Sequence, residues 1–110
     1  MQPFTQRVLE ILKAIPPGSV MTYGQVAAWA GSPRGARQVV RILHSMSESH
    51  DLPWHRVVNA EGRISLLDPD GAYTQRMLLG RDGVDVTPDG RIDLDRYRYS
   101  PSASKGGTDV

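Results

Sequence analysis

Two runs of chain punctuation, Pro16-Pro17-Gly18 and Gly31-Ser32-Pro33, constrain this sequence most, because each stops a helix and fixes where the next element can begin. Ahead of the first, Phe4, Val8, Leu9, Ile11, Leu12 and Ile15 recur at helical spacing, so residues 3–15 read as an amphipathic helix. Val20 and Met21 follow as a short strand. Thr22 then reads as an N-cap, with Gln25 completing a capping box. A helix from Tyr23 to Ala30 turns Val26, Ala27 and Ala30 inward, and Gly31 ends it. Ser32 reads as the next cap and Pro33 as a first-turn proline, opening a helix from Arg34 to Met46 whose apolar positions are Val39, Val40, Ile42 and Leu43. Two helices joined by a short glycine-containing turn make a helix-turn-helix pattern.

The rest of the chain reads in shorter pieces. Residues 47–52 are polar and loop-like. His55–Val58 and Arg63–Leu66 bracket Asn59-Ala60-Glu61-Gly62 as a small hairpin. Asp68–Gly71 reads as a loop, and Tyr73–Asp82 as a helix closed by Gly83. Val84–Thr87 and Arg91–Leu94 flank Pro88-Asp89-Gly90 as a second hairpin. The expected fold class is therefore mainly α with small β hairpins, built around a helix-turn-helix over residues 1–99. The segment RYRYS at 96–100 reads as a solvated tail or as a cover for a pocket, and residues 100–110 have a composition that cannot bury a core, which is the signature of disorder.

Composition enters through what it excludes and how charge is placed. Without a cysteine there is no disulfide, no thiolate-ligated zinc and no thiol nucleophile. His44, His50 and His55 are not spaced as metal ligands, so no metal and no cofactor are expected. No apolar run has bilayer length and the N-terminus lacks a signal-peptide layout, so no membrane partner and a cytoplasmic or nucleoid location are expected. Residues 1–47 hold five basic side chains against one acidic, and residues 48–110 eight against eleven. A basic half joined to an acidic half suits one polyanion-binding face, although solvated surface arginines would give the same count.

Two constellations stand out. At the start of the second helix of the pair, Gly35 and Ala36 are small and Arg37 follows them. Small residues let a helix approach a narrow groove, and an arginine there can fill the gap left by an extruded base. Equally, Gly35 and Ala36 can pack against a neighbouring helix and leave Arg37 in solvent. The other constellation is Pro53-Trp54-His55-Arg56-Val57-Val58, in which the tryptophan can be a core anchor and the histidine a hydrogen-bonded structural group.

Taken in order, TYGQVAAWAGSPRGARQVV, PWHRVV and QRMLLGRDGV resemble the DNA-binding domain of the O6-alkylguanine-DNA alkyltransferases over residues 4 to 84. The resemblance implies a winged helix-turn-helix DNA-binding domain in which Tyr23 rotates the target phosphate and Arg37 replaces the flipped base. The helix carrying Arg34, Gly35, Ala36, Arg37 and Arg41 would then enter the minor groove, and Pro53, Trp54, His55 and Arg56 would form the lesion pocket. Asp82 stands where the enzymes have a glutamate supporting the histidine, one methylene shorter. Ser45–Leu52 lacks their Asn-Pro hinge, and Leu66–Gly71 replaces their glycine-rich pocket loop.

Trp54 stands where those enzymes carry the reactive cysteine. Alkyl transfer needs a soft, ionisable nucleophile, and an indole provides none. The chain thus resembles the alkyltransferase-like group, which implies a monomeric, non-enzymatic sensor of O6-alkylguanine in double-stranded DNA that marks the lesion for nucleotide excision repair proteins. Two other readings compete. A winged-helix regulator of undamaged DNA would carry long polar side chains where Gly35 and Ala36 stand, and an enzyme using His55 as general base would find its site crowded by Trp54.

Overall fold

The computed structural model describes residues 2–66 and 68–100. Helix α1 (Pro3–Ala14) has proline in its first turn and buries Val8, Leu9 and Leu12. It stops one residue earlier than the apolar period suggests. Ile15 precedes Pro16 and is extended (φ −68°, ψ 115°), as the proline ring requires of its neighbour. After strand β1 (Met21–Thr22), α2 (Tyr23–Trp29) opens with the expected capping box, Thr22 and Gln25 bonding reciprocally.

Gly31 (φ +98°) closes α2. Its N–H donates to the Ala28 carbonyl at 3.0 Å, and the Ser32 N–H to the Ala27 carbonyl at 2.9 Å, the paired bonds of a Schellman ending. Ser32 therefore finishes α2 and does not cap the next helix. Its carbonyl accepts from the Gly35 N–H at 2.8 Å, which spends Pro33 and Arg34 on a turn. Helix α3 accordingly runs Ala36–Met46, two residues shorter than the sequence reading, with Gly35 at its N-cap.

The two hairpins read from sequence are realised differently. Val57 and Val58 form strand β2, which pairs in parallel with β1, Met21 opposite Val57 and Thr22 opposite Val58. Both valines are buried, so this run behaves as a strand covered on both faces rather than an alternating hairpin arm. The turn at 59–62 does form, the Asn59 Oδ1 accepting from the N–H groups of Glu61 (3.0 Å) and Arg63 (2.8 Å). The chain leaving it pairs elsewhere, Arg63 forming an antiparallel bridge with Arg91. The turn at 87–91 closes through the Thr87 N–H and the Arg91 carbonyl at 2.9 Å.

Helix α4 (Pro69–Arg81) begins four residues before the sequence reading places it. Asp68 caps it, accepting from the N–H groups of Asp70 and Gly71, and Pro69 fills the first turn, so a loop-like composition is here a helix start. Asp93 caps a short α5 (Leu94–Tyr97). RYRYS is not a solvated tail. Tyr97 is buried, its carbonyl accepts from the Val20 N–H at 2.9 Å, and the Tyr99 N–H donates to the Val20 carbonyl at 2.8 Å. The expectation of disorder for 100–110 falls, from 101 onward, outside the described residues.

Two apolar clusters result. Val8, Leu12, Val26, Ala30, Val39 and Ile42 join α1, α2 and α3 around Met21 and Val57, while Val20, Val58, Leu79, Val84, Ile92 and Tyr97 form the other. The pleat of the β1–β2 pair feeds both: Val57 points into the first and Val58 into the second. Among the described residues helices dominate, with one two-stranded sheet, in a helix-turn-helix domain. No helix among the described residues is long and apolar enough to cross a membrane.

Candidate nucleic-acid interface

The turn between α2 and α3 presents the arginines. Arg34, Arg37 and Arg41 are exposed, and the last two, four residues apart, share one face of α3. Gly35 is not exposed with them. A Cβ there would stand 3.0 Å from Phe4 Cζ and 3.1 Å from the Ser32 carbonyl, so a larger residue would crowd the internal packing. Ala36 is half-buried beside it. Internal packing therefore bears on Gly35, and the arginines carry the exposed surface.

A cavity of about 300 Å³ opens beside this face. Tyr23 enters it from the first position of α2, Val40, Leu43 and His44 from α3, and Ser47 from just beyond. Trp54, in a one-turn 3₁₀ helix (Trp54–Arg56), lines it together with Leu66, Asp68, Gly71 and Gln75. Tyr23 and Trp54 are thus brought to one hollow from chain positions far apart. Val40, read as a core residue, is 36% exposed and faces this cavity, a position the helical period alone does not separate from burial.

Of the four residues expected to form the pocket, Trp54 alone lines it; Pro53, His55 and Arg56 lie behind. The Trp54 and His55 rings meet edge to face, 6.2 Å between centroids at 86°. His55 Nε2 lies 3.0 Å from Asp82 Oδ2. Arg56 grips the same carboxylate as a fork, Nε to Oδ2 at 2.7 Å and Nη2 to Oδ1 at 3.2 Å, while its Nη1 donates to the Ile15 carbonyl at 3.0 Å. The Arg56 hydrogen bond holds the Asp82 carboxyl below its ordinary value of 3.8. Burial pushes the His55 imidazole below 6.5, outweighing the opposing pull of Asp82. His55 is then neutral at neutral pH and donates Nε2–H to the carboxylate, the tautomer being assigned from that partner. Asp82, despite its shorter side chain, reaches the histidine, because the C-cap position of α4 brings it there.

Gln75 was invisible in the sequence, where a glutamine in a helix reads as surface. It is 2% exposed, and its Nε2 donates to the carbonyls of His55 (3.1 Å) and Val57 (3.0 Å), fixing the backbone behind Trp54 with both amide hydrogens. Val40, Leu43, His44, Ser47, Leu66, Asp68 and Gly71 likewise carried no signal that would set them around one cavity. No cluster of three or more potential metal ligands occurs among the described residues. The hollow can accept a flat aromatic group against an indole wall and between aliphatic sides, and no lining side chain is a soft nucleophile.

The profile of the family described as 6-O-methylguanine DNA methyltransferase, DNA binding domain, matches residues 3–84. The chain is 55% identical over 97 residues to the DNA base-flipping protein of Escherichia coli (strain K12), covering 88% of this chain and 74% of that protein. It is 33% identical over 106 residues to Alkyltransferase-like protein 1 of Schizosaccharomyces pombe, covering 92% and 98%. Among solved structures, S. pombe Atl1 in complex with damaged DNA containing O6-carboxymethylguanine matches with a TM-score of 0.80 at 35% identity, over 92% of this chain and 98% of that one. The Mycobacterium tuberculosis O6-methylguanine methyltransferase matches at 0.60 and 28%, over 86% and 55%.

Proposed function

The chain belongs to the family of the 6-O-methylguanine DNA methyltransferase DNA-binding domain, and on that premise we propose that it senses O6-alkylguanine in duplex DNA and holds it without repairing it. The observation that carries the reading is Trp54. By resemblance it stands at the place of the family's cysteine, and it walls a cavity that also takes in Tyr23, beside three exposed arginines. On this reading α3 enters the minor groove, Arg37 fills the stack, and Tyr23 turns the target phosphate as the base swings into the hollow. The indole contacts the base and its alkyl group, and with no cysteine in the sequence the alkyl carbon meets no acceptor. His55, Asp82 and Arg56 then serve to seat Trp54 rather than to activate a thiol. Relatives named for base flipping and solved with damaged DNA support the DNA partner. Handing the held lesion to nucleotide excision repair proteins completes the reading and rests on family resemblance.

The test is fluorescence anisotropy at fixed salt with two duplexes differing only in guanine or O6-methylguanine. Tighter binding to the lesion, with the methyl group still on the DNA after digestion of the bound sample, is the expected result. Equal binding would favour a regulator of undamaged DNA, and a lost methyl group would mean an acceptor other than a cysteine thiolate.

A further inference from the structure

Helix α4 has two unlike sides. Gly71, Gln75 and Leu79, four residues apart, turn toward the cavity and the second apolar cluster. Tyr73, Met77 and Gly80 follow one another at helical spacing on the opposite side. Tyr73 is 66% exposed and Met77 40%, and a Cβ placed on Gly80 would meet nothing within 4 Å. Nothing inside the chain therefore calls for glycine at 80, where alanine would favour the helix by about 1 kcal/mol. An aromatic ring, a pliable thioether and a bare stretch of backbone in one row form a ridge with a notch beside it. Such a row fits a second helix laid close against it, and the charges at its ends say which helix. Asp70 stands at the N-terminal end and Arg81 at the C-terminal end, both exposed. Neither side chain is paired among the described residues.

We infer that the outer face of α4 is self-complementary, and that a second copy of this chain seats its own α4 there antiparallel. A two-fold axis between Gln75 and Arg76 sets Asp70 of each copy against Arg81 of the other. The same register brings each Tyr73 between Met77 and Gly80 of the other copy, so the side chain that protrudes meets the position that lacks one. Arg76 is nearest the axis, where two copies would bring like charges together. It is turned aside, Nη1 donating to the Thr87 carbonyl at 2.8 Å and Nη2 to the Pro88 carbonyl at 3.1 Å. Because Gly71 and Gln75 lie on the other side of the helix, the cavity stays open in each copy. The contact is small. A tyrosine and a methionine from each copy cover roughly 600 Å², about half of what a stable interface buries. Dilute chains are therefore monomers, as the family resemblance implies, and pairing belongs at about 0.1 mM.

The experiment is sedimentation of the full chain from about 10 μM to about 1 mM, at low salt so that exposed charge pairs count. Wild type should pass from monomer to dimer across that range. Tyr73→Ala should raise the dissociation constant by about tenfold or more, since it removes the ring that fills the notch. Asp70→Lys and Arg81→Glu each set like charges together at both ends of the contact, and each should weaken pairing by about three- to tenfold. Mixed in equal amounts, the two charge variants should pair with each other as tightly as wild type, because both ends then join opposite signs. Circular-dichroism melts show that each variant is folded. A wild type monomeric to about 1 mM would overturn the inference and leave the row to a helix of another protein. A dimer indifferent to Tyr73→Ala, or a mixture that pairs no better than either charge variant alone, would overturn it as well, by placing the contact elsewhere. The outcome is independent of lesion sensing, which the anisotropy measurement tests on dilute chains.

Discussion

Arg37 and Trp54 do different physical work, so their removal should read out differently. Arg37 is exposed at the start of α3 and, on the proposed reading, fills a gap in the base stack. Arg37→Ala should weaken binding to an O6-methylguanine duplex by about tenfold or more, since unstacking a base step costs a few kcal/mol. Arg41 is exposed one turn further along α3, and on the same reading Arg41→Ala removes only a phosphate contact. It should weaken lesion and control duplexes alike and lower the slope of log affinity on log salt by about one. Salt titrations of the two variants distinguish them, and identical behaviour would remove the finger role from Arg37. Trp54→Ala deletes the indole wall and should cost about 1–3 kcal/mol on the lesion duplex with little change on the control. Equal losses on both duplexes would make Trp54 a structural anchor behind the surface.

At the scale of elements, the boundaries of α2 and α4 set where these side chains stand. Thr22→Ala breaks a cap that places Tyr23 at the cavity, and should lower stability by about 1 kcal/mol in denaturant melts. Gln75→Leu strips two carbonyls of their donor and should cost about 1–3 kcal/mol, with lesion affinity falling as the Trp54 turn loosens. A Gln75→Leu protein that melts and binds as wild type would show that water replaces the amide. The helical elements were legible wherever local chemistry decides them: the Thr22–Gln25 box, the Gly31 and Gly83 endings and the Pro16 stop all act within a few residues. Pairing was not legible. Nothing local to Val57-Val58 says that Met21-Thr22, rather than the run after Gly62, is its partner, because register depends on two cores that exist only once the chain has folded. The candidate site divides the same way. Tyr23, Arg37 and Trp54 could be picked out by resemblance, whereas Gln75 and Asp68 wear the composition of a solvent face and of a turn. A buried amide and a helix cap cannot be told from these until their partners are in place.

For the whole molecule, the His55–Asp82–Arg56 cluster joins the 3₁₀ turn to the end of α4 and to the chain after α1, so its titration should be felt globally. The folded protein holds the His55 pKa below 6.5, so as pH falls through that value the unfolded chain binds the proton first and stability drops. Asp82 acts in the same direction lower down. Its depressed pKa gives stability that is present above 3.8 and lost as pH falls through the folded value. Melting temperature should therefore decline in two stages on acidification, and His55→Asn should remove the upper one; a wild-type melting temperature flat across the upper window would contradict the neutral, buried histidine. The clasp at the other end of the chain sets a timetable as well. Gln25 belongs to the box that starts α2, and its Nε2 also donates to the Tyr99 carbonyl, 74 positions on. During synthesis α1, α2 and α3 can assemble while the rest of the chain is still being made, but the segment bearing Tyr23 waits for residue 99 to emerge before its last bond closes. A nascent chain would thus own its DNA-reading helices well before it owned a finished pocket, and grip on DNA would mature ahead of the ability to hold a damaged base.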